Sequence, residues 1–272
     1  MTAPRACIGV DFSSAPSRRK AIWLAAGECH GDAVRLRALQ AFVSLQGFAA
    51  ALCAPGPWVG AFDFPFGLPR ELVEGLGWPR QWLPLMRHYQ GLSRAQIRST
   101  FKAFCDARPT GAKFAHRGCD RPAGSSPSMK WVNPPVALML HAGVPLLIDA
   151  GVHLPALHDG DPSRVALEGY PGLLAREWVG ARSYKSDLAA RRDDAARRQA
   201  RADIVDGLCS GGSRLALRLL LDAAQRDALI DDGSGDRLDA VLCLMQAAWA
   251  SARPGYGLPA STDPLEGWIV SA

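Results

Sequence analysis

Five acidic residues occupy positions from which a chain can present carboxylates together. They are Asp11 in Ile-Gly-Val-Asp11-Phe-Ser-Ser, Asp63 in Ala-Phe-Asp63-Phe-Pro, Glu168 in Ala-Leu-Glu168-Gly-Tyr-Pro, and the pair Asp236 and Asp239 in Gly-Asp236-Arg-Leu-Asp239-Ala. The first three each follow a short apolar run that reads as a buried strand, and the pair opens an apolar helix. Carboxylates at strand ends and on a facing helix turn form the donor set of a hard divalent cation, Mg²⁺ or Mn²⁺. Asp236 and Asp239, three apart, project from one helix face. Two cations about 3.5–4 Å apart in such a cluster stabilise the attacking and leaving oxygens of a phosphodiester displacement. The expected ligands are Asp11, Asp63, Asp236 and Asp239, with Glu168 a further catalytic acid at the same sheet edge. Each acid also has a plainer role open to it: an Asx turn for Asp11 or Asp63, a helix cap for Asp236, an ion pair with Arg164 or Arg176 for Glu168.

The elements that must position these residues follow from periodicity and breakers. Residues 6–12, 20–26 and 34–42 read as three strands, the last two joined by the turn at 28–32. Residues 44–54 read as a helix, broken by Pro55-Gly-Pro57, and 58–62 as a fourth buried strand. A meander followed by a right-handed crossover returns the fourth strand parallel to the first. Their backbones would then lie about 4.8 Å apart, with Asp11 and Asp63 at one end of the sheet. Residues 65–162, rich in Pro, Gly and Trp, read as a helical and loop insertion or cap, with helices expected at 70–76, 80–90, 93–106 and 134–142. Beyond it come a strand at 164–168 and helices at 172–179, 187–208, 214–230 and 236–252. The expected class is α/β, one domain over 1–272 with the insertion inside it.

Composition narrows the function classes. With 48% hydrophobic and 21% charged residues over 272 positions, the chain is a folded globular protein. No apolar run reaches membrane-span length and the N-terminus lacks a signal pattern, so a cytoplasmic protein without a membrane partner is expected. Seven cysteines without C-x-x-C spacing read as reduced thiols. Cys105, His116 and Cys119 share a loop but lack the paired spacing of a structural zinc site. The net charge is +5, and the stretch from Arg94 to Lys130 carries eight basic and two acidic residues, 8 − 2 = +6. That stretch reads either as a solvated loop or as a phosphate-contacting patch. In the second reading Arg117, Arg121, Lys130 and Lys185 contact substrate, and nucleic acid is the expected partner. Nothing in the sequence sets the oligomeric state.

The ordered set Gly9-Val-Asp11, Asp63-Phe-Pro65, Glu168-Gly-Tyr-Pro171, Tyr184-Lys185 and Asp236-Arg-Leu-Asp239-Ala240 resembles the family described as predicted nucleases with a ribonuclease H-like fold, domain-of-unknown-function family 429. The resemblance spans nearly the whole chain and lies in the combination and order of short motifs. It implies a ribonuclease H-like, five-stranded mixed sheet, three antiparallel strands first and parallel strands after, with flanking helices. The motifs are also similar to those of the Holliday-junction resolvase branch, in which a strand Asp, a second-strand acid and a D-x-x-D helix bind two metals. Asp11, Asp63, Asp236 and Asp239 match those positions, and Glu168 matches the family's Glu-x-x-Pro element. The helix at 44–54 carries no acid, so the helix glutamate of ribonuclease H itself is missing. The resemblance implies a metal-dependent nuclease or phosphodiesterase. Two other functions suit the same residues. One is an actin-like-fold, ATP-dependent phosphotransferase, with Ser13 and Ser14 touching a phosphate and Asp63 as base or Mg²⁺ ligand. That reading lacks a Gly-rich adenosine motif and a duplicated half. The other is a noncatalytic binding module.

Overall fold

The computed structural model describes residues 5–192 and 194–272. Its centre is a mixed sheet of seven strands. β1 (Arg5–Asp11), β2 (Ile22–His30) and β3 (Ala33–Phe42) form the antiparallel meander. α1 (Leu45–Leu52) starts at Ser44, whose side chain accepts from the Gly47 N–H, and carries the chain across to β4 (Trp58–Phe62), parallel to β1.

Between β4 and the next long strand lie α2 (Arg70–Gly75), α3 (Trp82–Gln90), α4 (Arg94–Asp106), a one-turn α5 (Asp120–Ala123), α6 (Val136–Asp149) and the two-residue β5 (Val152–His153). A capping box sets the start of α4, in which Ser93 and Gln96 each satisfy the other's backbone N–H. β6 (Asp161–Glu168) then pairs in parallel with β4 and leads into α7 (Pro171–Val179) and α8 (Ala195–Ser210). β7 (Arg218–Leu220), α9 (Ala223–Ile230) and α10 (Asp236–Ser251) complete the fold. The strand order is β5-β6-β4-β1-β2-β3-β7. Among the described residues no helix is long and apolar enough to cross a membrane.

The α/β class and the mixed sheet agree with the expectation, and the sheet is larger by a short strand at each edge. β7 lies inside the stretch expected to be helical at 214–230. Leu215, Leu217 and Leu219 are buried while Arg214, Ala216 and Arg218 are exposed, so this segment has the period of a strand. Only from Ala223 does a helix run, started by a capping box between Asp222 and Gln225. The charged helix expected at 187–208 starts later, at Ala195, where Asp194 caps it. Residue 193 lies outside the described residues. α6 extends to Asp149, well past the expected 142.

Two apolar cores sandwich the sheet. One packs α7, α8, α9 and α10 against residues such as Cys7, Ala25 and Ala61. The other packs α1, α3, α4 and α6 against Val10, Phe12, Leu24 and Phe62. Beyond the exposed Arg5 and Ala6, strand alternation sends the apolar side chains of β1 and β4 to one core or the other. α10 is almost wholly buried and lies directly on β1, because Gly9 has no side chain. A Cβ built there would sit 2.0 Å from the Leu244 N and 2.1 Å from the Ala240 O.

Candidate metal centre

The sheet register sets the positions of three of the acids. Val10 pairs with Phe62, and Phe62 pairs with Glu168. Asp11 and Asp63 therefore stand one step beyond that row, at the same end of adjacent parallel strands. The Asp63 N–H donates to the Val10 carbonyl at 2.9 Å, which extends the ladder to the acid itself. Val10, Phe12 and Phe62 face the core that holds α1 and α6, so Asp11 alternates to the opposite face, toward α10. Phe12 and Phe64 pack at 4.6 Å between ring centroids, tying together the two residues that follow the acids.

α10 approaches from that side. Gly235 adopts a left-handed conformation (φ 75°) as its N-cap, and Asp236 and Asp239 fall in the first turn. Carboxylates there are favoured by the helix dipole. Ligand oxygens of Asp11, Asp63 and Asp239 lie within 4.8 Å of one another. Among the described residues this is the one cluster of three His, Cys, Asp or Glu side chains so placed, and Cys105, His116 and Cys119 do not form another. The Asp11 Oδ2 is buried without a hydrogen-bond partner among the described residues. A buried, unsatisfied carboxylate oxygen beside two more carboxylates fits a cation, and the triad can hold a metal ion.

Two lysines frame the cluster. The Lys185 Nζ donates to the Asp239 Oδ2, and the Tyr184 hydroxyl donates to the Asp239 Oδ1 at 2.6 Å. The Tyr184 carbonyl is in turn held at 2.8 Å by the buried Arg201. The Lys20 Nζ donates to the Asp236 Oδ1 at 2.6 Å and lies 3.6 Å from Asp187. Asp236 is thus beside the triad, engaged by Lys20. Four ionised carboxylates and two ammoniums leave 2 − 4 = −2, the charge that one divalent cation cancels.

Without a cation, part of that negative charge is relieved by protons. Burial and the neighbouring Asp236 and Asp239 raise the Asp11 carboxyl well above the usual range. Burial raises Asp63 from 3.8 to about 7, with Asp239 and Glu168 adding and Lys185 and Lys20 opposing. Because the folded protein holds a proton on Asp63 that the unfolded chain has released, metal-free stability falls as pH rises from about 4 to 7. The share from Asp63 amounts to at most roughly 4 kcal/mol, and the raised Asp11 carboxyl adds to the loss. Lys20 and Lys185 are themselves raised, because the carboxylates outweigh the burial that opposes their charge, and both stay charged throughout this window. Urea denaturation of metal-free protein from pH 4 to 7 should show this decline, and Asp63→Asn should make it shallower, with Asp11 supplying what remains. Parallel curves for the two proteins would remove Asp63 as its source.

The remaining expected site residues fall in different places. Glu168, aligned with Phe62, leaves its strand on the opposite face from Asp11 and Asp63 and lines the same cavity as both. There its carboxylate receives both terminal nitrogens of Arg117 at 2.6 Å and the Phe66 N–H at 3.0 Å. It pairs with neither Arg164 nor Arg176; Arg164 pairs with Asp161. Arg117 is only 2% exposed and also binds Asp120, so the residue expected to contact substrate is a buried structural cation. Ser13, Ser14 and Lys185 line a cavity of about 500 Å³ together with Asp11 and Asp63, whereas Arg121 and Lys130 do not. Four of the eight basic residues in 94–130 are engaged: Lys102 pairs with Asp106, Arg108 with Glu71 and Arg117 with Glu168 and Asp120, and Arg94 donates to the Ser14 carbonyl. Lys20, absent from the expected set, reaches its partner across 216 residues of sequence, and no local pattern marks it.

Comparison of the chain with protein-family models, with curated proteins and with solved structures returns no match.

Proposed function

We propose that this protein is a phosphodiester hydrolase, a nuclease or phosphodiesterase of ribonuclease H-like architecture that works with Mg²⁺ or Mn²⁺. The observation that carries the reading is the convergence of Asp11, Asp63 and Asp239 from two parallel strands and a helix, with the Asp11 Oδ2 unsatisfied. The strand order β6-β4-β1-β2-β3, antiparallel on one side of β1 and parallel on the other, supports the architecture. A divalent cation bound at such a triad polarises a phosphoryl oxygen and lowers the pKa of an attacking water. The chain's own residues do the rest. Tyr184 fixes the Asp239 carboxylate, and Lys185 and Lys20 offer positive charge to the phosphate's other oxygens. A second cation would need Asp236, which Lys20 now holds, so the geometry favours one cation over two.

The test is hydrolysis of bis(p-nitrophenyl) phosphate at millimolar Mn²⁺. We expect turnover that stops with a chelator and falls at least about a hundredfold in Asp239→Asn, beyond the ten- to hundredfold that outer-shell changes cost. No turnover together with no cation-dependent rise in Tm would favour a noncatalytic binding module. A Tm rise with ATP in place of that with cation would favour the phosphotransferase.

A further inference from the structure

We infer that the site takes a phosphodiester carrying a single nucleoside-sized, partly apolar group, and that an intact nucleic-acid duplex cannot enter it. The inference rests on the proposed hydrolase reading and adds the substrate class.

Size is the first ground. The cavity holding the carboxylates is a cleft open to solvent with a volume of about 500 Å³, equivalent to a sphere about 10 Å across. That is within the roughly 300–1,000 Å³ of small-molecule sites. A duplex whose major groove alone is about 12 Å wide is larger than this cavity.

Charge is the second ground. Proteins that track a polyanion commonly make on the order of 6–10 phosphate contacts with lysine and arginine. Three cations line this cavity, Lys20, Lys185 and Arg117, and the guanidinium of Arg117 is consumed by Glu168 and Asp120. The other two at the cavity wall, Lys20 and Lys185, are each paired with a carboxylate, and together they supply enough positive charge for one monoanionic phosphodiester and not for a polyanion track. Ser13, Ser14, Ser126 and Ser186 also line the cavity and carry hydroxyls able to donate to phosphate oxygens, whereas the Ser125 hydroxyl donates to Asp120.

The third ground is the apolar wall. Pro134, Pro135, Val136 and Met139 line the cavity from the entry into α6 and its first turn. Val136 and Met139 are three apart on one helix face and half-buried; Met139 packs partly against the core beneath α6, which leaves Val136 as the residue the core does not use. A bare phosphate or a charged sugar phosphate leaves this surface unused. A nucleobase or a group of similar size and flatness covers it, since such pockets bind through apolar walls with a few placed polar groups.

Four probes with Mn²⁺ separate the outcomes: the p-nitrophenyl ester of thymidine 5′-monophosphate, methyl p-nitrophenyl phosphate, closed-circular duplex DNA and circular single-stranded DNA. We expect the thymidine ester to be hydrolysed with a kcat/KM at least about tenfold above that of the methyl ester, and both circles to remain intact. Val136→Asp should raise KM for the thymidine ester about tenfold with kcat within about twofold. Val136→Thr, close to valine in shape, should raise KM several-fold and serves if the aspartate variant does not fold. Opening of either circle at a rate comparable with the thymidine ester would overturn the substrate class and leave the hydrolase reading standing. Equal kcat/KM for the two small esters, or an unchanged KM in both Val136 variants, would overturn the apolar wall. No hydrolysis of any probe would sink the hydrolase reading and this inference with it.

Discussion

Asp11→Asn should abolish the response to divalent cations and yet leave a more stable metal-free protein. Asp11 is buried, with one carboxylate oxygen unsatisfied and its pKa raised by burial and by Asp236 and Asp239. Its charge is costly without a cation and a ligand with one. The amide keeps the shape and removes the repulsion, so metal-free Tm should rise by a few degrees, at about 2–4 °C per kcal/mol for a chain near this size. Cation affinity should fall by at least about a hundredfold, because a ligand is lost where outer-shell partners alone are worth ten- to hundredfold. Wild-type stability should climb with the logarithm of Mn²⁺ concentration above the Kd, whereas the variant's Tm stays flat at the same concentrations. The opposite signs matter. A substitution that merely damaged the fold would lower Tm in both conditions. A variant that lost stability without cation and kept its Mn²⁺ response would show that Asp11 is a structural strand-end residue and not a ligand.

The placement of Asp11 and Asp63 was legible because it depends on local quantities: a short apolar run, its end, and the direction a crossover must take. The bounds of β4 were read to the residue, and β1 and β3 to within one residue at each end. Other parts depend on information that a single strand does not carry. Glu168 ends a strand at the same edge as the aspartates, but it aligns with Phe62 and not with Asp63. One step of register reverses the face, so Glu168 lines the same cavity with its carboxylate held by Arg117 and is not one of the three converging acids. The alternation within 58–62 could not reveal the offset between strands. Arg117 illustrates a related failure. Counting it in a basic stretch treated its charge as available, whereas the fold brings Glu168 to it across 51 residues and Asp120 across 3. The helix expected through 214–230 failed for a more local reason. The Leu215, Leu217, Leu219 alternation is strand-like, but it is short and runs straight into the apolar positions of α9.

Asp236 and Asp239 separate for a reason that sequence spacing alone could not supply. Both lie on one face of the first turn of α10, as the three-residue spacing requires. The helix crosses the sheet end so that Asp239 meets Asp11 and Asp63, and Asp236 projects toward the loop before β2, where Lys20 takes its Oδ1. The depth of α10 against β1 therefore determines whether three carboxylates converge.

That depth makes Gly9 the position through which a non-ligand change should have the largest effect. A methyl group at Gly9 would overlap the α10 backbone at Leu244, Ala240 and Cys243, at 2.0, 2.1 and 2.7 Å. Backbone atoms cannot rotate aside as a flexible side chain can, so the helix must lift or β1 must shift. Overpacking in a close-packed core costs about 1–3 kcal/mol and occasionally more. Here the overlap is with backbone on a helix that is buried along nearly its whole length, so Gly9→Ala should cost roughly 3 kcal/mol or more, a fall in Tm of about 6–12 °C. The informative measurement is at a temperature where the variant remains folded. Lifting α10 withdraws Asp239 from Asp11 and Asp63, and Mn²⁺ affinity should drop at least about tenfold although every ligand is present. The backbone of β1 allows alanine at this position, since strand geometry suits any L-residue, so the loss comes from the helix contact alone. A folded Gly9→Ala protein with wild-type Mn²⁺ affinity would show that the triad does not depend on how closely α10 approaches β1.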